Sequence, residues 1–298
     1  MPDSFVAFVN TMFVPVGLML IMFSLGLTLA LRDFALLLTN ARTVLAGLFG
    51  QLVVMPLLAL AIGLLFQLPP PLALGLFILA ICPAGTTSNA LTWLGRGNVA
   101  LAVTLTALSS LVTVFTIPLL LSWALSHFLG GGEAPRLPVL GTMVQLMRVT
   151  VLPIAAGMLV RRFAPDFAAR LARWLRPTSA VVLVAVIAFS VAVSLDMVML
   201  NIVAGGPAIW TLNVAAMAAG LLIGRAIGAG ARDSMTLAIE VGVHNVTLAI
   251  FLTLTVLDNL PLAVLQNIYG VVMLLNAAML IRWYRRPIRA EAAGEAGA

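Results

Sequence analysis

The chain has 298 residues, of which 62% are hydrophobic and 9% charged, whereas an average soluble domain carries about 25% charge. That balance excludes a soluble globular domain and points to an all-α, polytopic membrane protein with lipid as its main surroundings. The formal charge of +6 rests on arginines scattered between apolar runs, so it speaks for orientation in a bilayer and not for nucleic acid.

At about 20 apolar residues per crossing, nine spans are predicted, at 12–31, 43–66, 71–94, 98–126, 138–160, 177–196, 207–228, 234–257 and 261–284. The first run is long enough to span and lacks a basic leader, so no cleavable signal peptide is expected. The joints hold Arg32, Asp33 and Arg42, then Gln67-Leu68-Pro69-Pro70-Pro71, then Arg96-Gly97-Asn98. They continue with Gly130-Gly131-Gly132-Glu133, an arginine-rich segment at 161–176, an uncharged turn near Ala204-Gly205-Gly206, Arg232-Asp233, and Asp258. With the N-terminus outside, fourteen of the sixteen basic residues fall in inside loops or the C-terminal tail. Arg136 then lies outside and Arg148 within a span. This asymmetry supports an odd number of spans, N-terminus out and C-terminus in. Residues 290–298, small and acidic, read as a disordered tail.

Two spans are interrupted. Cys82-Pro83-Ala84-Gly85-Thr86-Thr87-Ser88-Asn89 puts a proline and a glycine beside three hydroxyls and an amide in mid-span. Proline has no N–H, and lipid offers no replacement partner for the groups it frees. Such a break survives only inside protein or beside a polar cavity. Glu240-Val241-Gly242-Val243-His244-Asn245 repeats the pattern near the other end of the chain. If the two breaks correspond, spans one to four match spans six to nine, and the odd offset inverts one set against the other. Inverted repeats with discontinuous helices meeting at mid-membrane are a recurring plan of secondary transporters.

A carboxylate near the bilayer centre is costly, so Glu240 binds a cation, is protonated, or is tied to an arginine, with Arg148 the deepest available partner. Ser88, Asn89 and Thr106 alone would read as interhelical hydrogen bonds; beside a break and a buried carboxylate they join a candidate site. Gln51 is a lone amide on an apolar span. His244, one helical turn from Glu240, is either a packing residue or a proton carrier. His127 and Asp196 read as interfacial, and Trp93, Trp123, Trp174, Trp210 and Trp283 as an aromatic belt. The single Cys82 excludes an internal disulfide and a cysteine-based metal cluster. No metalloprotease, nucleophile-elbow, P-loop or dinucleotide motif occurs, which argues against an enzyme and against an ATP-driven pump.

The combination CPAGTTSN, GRGN, ALAVTLTALSSL and TIPLL, with EVGVHN later in the chain, resembles the bile acid:sodium symporter family. Met22-Phe23-Ser24-Leu25-Gly26-Leu27-Thr28-Leu29 and Gln51-Leu52-Val53-Val54-Met55-Pro56 are similar to it as well. The resemblance covers nearly the whole chain. It implies a nine-span form with two crossed, broken helices, a core (about 43–126 and 177–257) and a panel (about 12–31, 138–160 and 261–284). It implies a first sodium site on Ser88, Asn89, Thr106 and Glu240. A second falls on Gln51, Glu240, Val241, Val243 and His244, partly through backbone carbonyls. The family pattern usually has a hydroxyl where this chain has Ala102 and a glutamine where it has His244. Imidazole is a poor ligand for a hard cation, so coupling to two sodium ions, to one, or to a proton all stay open. The resemblance implies a small organic anion as substrate, facing Thr86, Thr87 and Asn245 at helix N-termini. It implies sodium as the only cofactor, with no organic cofactor, and a monomer moving its substrate inward by alternating access. A proton-coupled or sodium-independent carrier of the same fold, and a membrane receptor that binds without turnover, are the competing readings.

Overall fold

A backbone surrounded by apolar side chains must pair its own polar groups, and helices do so within one segment. The computed structural model describes residues 7–130, 137–193 and 195–296 and is helical along nearly all of them. The joint at Gly131, Gly132 and Glu133, and Arg136 beyond it, lie outside the described residues. Among the described residues, seven helices are long and apolar enough to cross a membrane. In chain order the elements are α1 (Val9–Gly26), α2 (Ala41–Leu65), α3 (Pro70–Ala80), α4 (Thr86–Leu94), α5 (Val99–Leu129) and α6 (Val139–Phe163). They are followed by α7 (Pro165–Val193), α8 (Leu195–Ala226), α9 (Ala231–Gly242), α10 (Val246–Val256) and α11 (Val264–Ala296). The short pairs α3/α4 and α9/α10 occupy the two stretches expected to be interrupted spans.

Three boundaries depart from expectation. The arginine-rich segment is not a loop: α7 opens on Pro165, which suits a first helical position, and runs on through Arg170 and Arg173. Its Ala168 and Ala172, one turn apart, are buried against Leu27, which gives the helix an inner face. The turn near Ala204-Gly205-Gly206 is instead the interior of α8. Gly205 is there for packing, since a Cβ on it would stand 2.4 Å from Leu265 Cδ2 on α11. Finally, α11 continues to Ala296, so residues 290–296 extend a helix where a disordered tail was expected. Alanine and glutamate are strong helix formers, and they dominate that stretch.

Glycines decide which helices pack as one body. On α1 and α6, Gly26 and Gly157 meet backbone to backbone: a Cβ on Gly26 would lie 2.2 Å from the Ile154 carbonyl oxygen, and one on Gly157 would lie 2.5 Å from that of Phe23. Small residues that let backbones approach are how membrane helices associate when lipid is as apolar as the partner. Gly17 on α1 takes Val182 of α7 in the same way, so α1, α6 and α7 form one group. In the other group Gly220 and Gly224 of α8 sit on Ala238 and Ser234 of α9, and Gly75 of α3 sits on the Leu262 carbonyl just before α11. Helices α2 and α5 complete it, through Gly47 against Leu105 and Leu237 and Gly50 against Val241.

Candidate functional site

The two breaks cross. Residues 81–85 leave the helix after α3 and 243–245 leave it after α9; there Ala84 and His244 form an antiparallel β-bridge. The Asn245 N–H donates to the Pro83 carbonyl at 2.9 Å. The local cause is sequence: Pro83 has no N–H to continue α3, and Gly85 takes an extended backbone (φ −120°, ψ 178°) close against Asn245. The start of α10 is capped by a side chain and that of α4 is not. Asn245 Oδ1 accepts from the Leu248 N–H at 3.0 Å, and the Gly85 carbonyl accepts from the Ser88 hydroxyl at 2.7 Å. The Gly242 carbonyl, freed by the second break, accepts from Asn213 Nδ2 at 2.7 Å and from the Tyr269 hydroxyl at 2.8 Å. Asn276 Nδ2 in turn donates to Asn213 Oδ1 at 2.8 Å. Asn213, Tyr269 and Asn276 were not singled out by sequence reasoning, because only the packing of α8 and α11 behind the break gives them a task.

Glu240 is fully buried on α9, next to this crossing. Its Oε2 accepts from Thr106 Oγ1 at 3.0 Å and from Gln51 Nε2 at 3.2 Å. Thr106 Oγ1 also lies 3.3 Å from Asn89 Oδ1, and the Ser88 hydroxyl borders the carboxylate. Glu240 Oε1 and Gln51 Oε1 are buried with no hydrogen-bond partner. Two orphaned oxygens among hydroxyl and amide oxygens suit a hard cation, which takes oxygen ligands. The arginine tie is not present. An ion pair joins Arg161 and Asp33 at 3.9 Å, where Arg161 also donates to the Thr28 carbonyl. Arg148 is exposed on the outward stripe of α6 that includes Val144 and Leu152. The first predicted set, Ser88, Asn89, Thr106 and Glu240, is therefore brought together and fits one cation.

The second set fits less well. Gln51 presents its NH₂, not its oxygen, to the Glu240 backbone carbonyl at 3.0 Å. His244 Nε2 lies 3.0 Å from the Val241 carbonyl and Nδ1 lies 2.7 Å from the Cys82 carbonyl. Val243 sits at the break with its side chain buried, and Ala102 is buried without offering an oxygen.

On the other side of the crossing is a pocket. The predicted Thr86, Thr87 and Asn245 line it with Thr247, and Ile21 of α1 and Ser179 and Leu183 of α7 close it. Asn245 Nδ2 and Thr247 Oγ1 are buried there without partners. The N-termini of α4 and α10 both open on it, and His244 also lines it. A pocket with unpaired donors and two helix N-termini suits an anion. Sequence reasoning missed Thr247, which follows the second motif, and Ser179, which no motif marks.

Comparison with known proteins adds an independent line. A family model described as the sodium bile acid symporter family matches residues 15–201. The chain is 31% identical over 291 residues, 96% of its length and 67% of the relative's, to the probable sodium/metabolite cotransporter BASS2, chloroplastic, of Oryza sativa subsp. japonica. To the probable sodium/metabolite cotransporter BASS1, chloroplastic, of Arabidopsis thaliana it is 31% identical over 241 residues, 80% of this chain but 58% of that one. To the uncharacterized sodium-dependent transporter YocS of Bacillus subtilis it is 28% identical over 287 residues, covering 95% of this chain and 86% of the relative.

Proposed function

Because the chain belongs to the sodium bile acid symporter family, we propose that it is a secondary transporter that carries a small organic anion inward with sodium. The observation that carries this reading is the crossing of two helix breaks, with orphaned carboxylate and amide oxygens beside it and orphaned donors across it. Sodium would bind at Glu240, Thr106, Asn89 and Ser88, and the anion at Thr86, Thr87, Asn245 and Thr247. Both sites share the crossing backbone, so filling one orders the other, which is the physical basis of coupling. On this reading α3/α4 and α9/α10 each count as one crossing, making nine, with inverted halves, the N-terminus out and the C-terminus in, in a bacterial inner membrane. The packing supports a panel of α1, α6 and α7 and a core of the remaining helices. That assignment moves residues 177–193 into the panel and 261–284 into the core relative to the sequence-based division.

Purified protein in proteoliposomes should take up a small carboxylate in response to an inward sodium gradient and not a potassium one. Uptake that follows a pH gradient and ignores sodium would replace sodium by a proton. Uptake of no anion tried, by folded protein, would end the transporter reading. Thr247→Val gives a sharper signature. It removes a buried hydroxyl with no partner, so stability should hold or rise, while the KM for the anion should increase about 10-fold, the value of one hydrogen bond to a charged ligand.

Alternating access needs contacts that differ between states. Two polar links join the proposed panel and core: the Thr255 hydroxyl donates to the Asn10 carbonyl at 2.7 Å, and Asn267 Nδ2 donates to Ser190 Oγ at 2.8 Å. Both lie in the half that the proposed orientation puts outside, which makes this an outward-closed arrangement. Removing both in Thr255→Val/Ser190→Ala should shift the equilibrium toward outward-open by about 2 kcal/mol, roughly 30-fold. A cysteine at Ile21, with Cys82 replaced by alanine, should then react faster with an impermeant maleimide added outside. Unchanged labelling would refute the latch.

A further inference from the structure

We infer that this transporter binds one sodium ion per cycle, because the side chain of His244 takes the place that a second ion would need. The inference rests on the reading of the protein as sodium-coupled. The physical starting point is that each helix break frees backbone carbonyls inside a dry interior, and each freed carbonyl requires a positive partner, either a cation or an N–H. Around the second set, the chain's own side chains stand against those carbonyls, and a neutral imidazole, with a single N–H, can donate to one of the two that it touches. The Cys82 carbonyl from the first break lies 2.7 Å from His244 Nδ1, and the Val241 carbonyl from the second lies 3.0 Å from Nε2. The Glu240 carbonyl takes the amide N–H of Gln51 at 3.0 Å. The imidazole therefore spans the two breaks as a staple, at the oxygens a second cation would have to recruit.

Space leads to the same conclusion as pairing. His244 is 1% exposed, and the Tyr269 ring meets the imidazole edge-on, with centroids 6.3 Å apart and planes at 74°. Tyr269 is itself held by its hydroxyl on the Gly242 carbonyl. A ring packed in this way cannot turn aside to admit an ion without disturbing the Gly242 network. Its nitrogens would be poor ligands for sodium if it stayed. By contrast, Glu240 Oε1 has no hydrogen-bond partner while Oε2 accepts from Thr106, which leaves one position open to a cation in the first set.

The test counts ions and does not depend on transport. Equilibrium binding of radioactive sodium to the purified protein should saturate at one ion per chain, and stabilisation against heat should follow sodium with a Hill coefficient of about 1. In His244→Gln an amide oxygen replaces the ring, and the count should rise to two with a Hill coefficient approaching about 2. Saturation of the wild type at two ions would overturn the inference while leaving sodium coupling intact. A folded His244→Gln variant that still binds one ion would overturn the assignment to His244. Should that variant not fold, the wild-type count alone decides. No sodium binding by the wild type would overturn sodium coupling itself, and this inference with it.

Discussion

Replacing Glu240 by glutamine is expected to abolish the response of the protein to sodium while leaving its fold intact. The carboxylate is fully buried, and it is the one acidic side chain among the Ser88, Asn89 and Thr106 oxygens. Removing the charged partner of a buried ionic contact is worth about 3 kcal/mol, which weakens sodium binding by more than about 100-fold. Stability without sodium should move the other way. A buried carboxylate with one oxygen unpaired costs free energy, and the neutral amide removes that charge while its oxygen still accepts from Thr106. The measurement is the melting temperature of purified wild type and Glu240→Gln against sodium, with potassium as control. In the wild type, sodium at about 100 times its Kd should add about 2.7 kcal/mol; in the variant the two salts should be indistinguishable. A sodium-specific rise that survives in Glu240→Gln would remove Glu240 from the site.

The second large effect is structural. Gly26→Ala should destabilise the protein by 3 kcal/mol or more, at the top of the range of about 1–3 kcal/mol for overpacking. The added methyl would stand 2.2 Å from the Ile154 carbonyl oxygen, and its neighbours there are backbone atoms with no side-chain rotamer to relieve them. Helices α1 and α6 would have to separate by about an ångström, losing dispersion contact along their length. Gly141→Ala, on α6, meets only Pro138 side-chain atoms at 3.5 and 3.6 Å and should be neutral. The comparison is read by detergent-solubilised yield and melting temperature. Equal stability of the two variants would mean that the close approach of α1 and α6 does not hold the panel together.

These two residues differ in how far the sequence announces them. Glu240 stands out at once, because a carboxylate in an apolar run is costly wherever it sits in the fold. Gly26 does not, because its task depends on a helix more than a hundred residues later in the chain. Gly205 shows the same limit from the other side: beside Gly206 and Pro207 it looks like a turn, yet it lies inside α8, cleared for Leu265. The arginine-rich segment misleads for a related reason, since its inner face is visible only once Leu27 is seen to cover Ala168 and Ala172.

The sequence by itself determined that this chain is a helical membrane protein and where two of its helices open. Both follow from local physics: apolar length selects spanning helices, and a proline or glycine among polar groups releases backbone bonds that lipid cannot replace. It also marked the residues at those openings, from Thr86 to Asn89 and from Glu240 to Asn245. Only the tertiary structure decided what the released groups meet. The Cys82 carbonyl and His244 are 162 residues apart, and Thr106 reaches Glu240 across 134. Ser179 joins the pocket from a helix that carries no motif. Such pairings are set by how two broken helices cross and what packs behind them. A freed carbonyl meets whichever group that crossing brings within 3 Å, and in this chain the group is an imidazole.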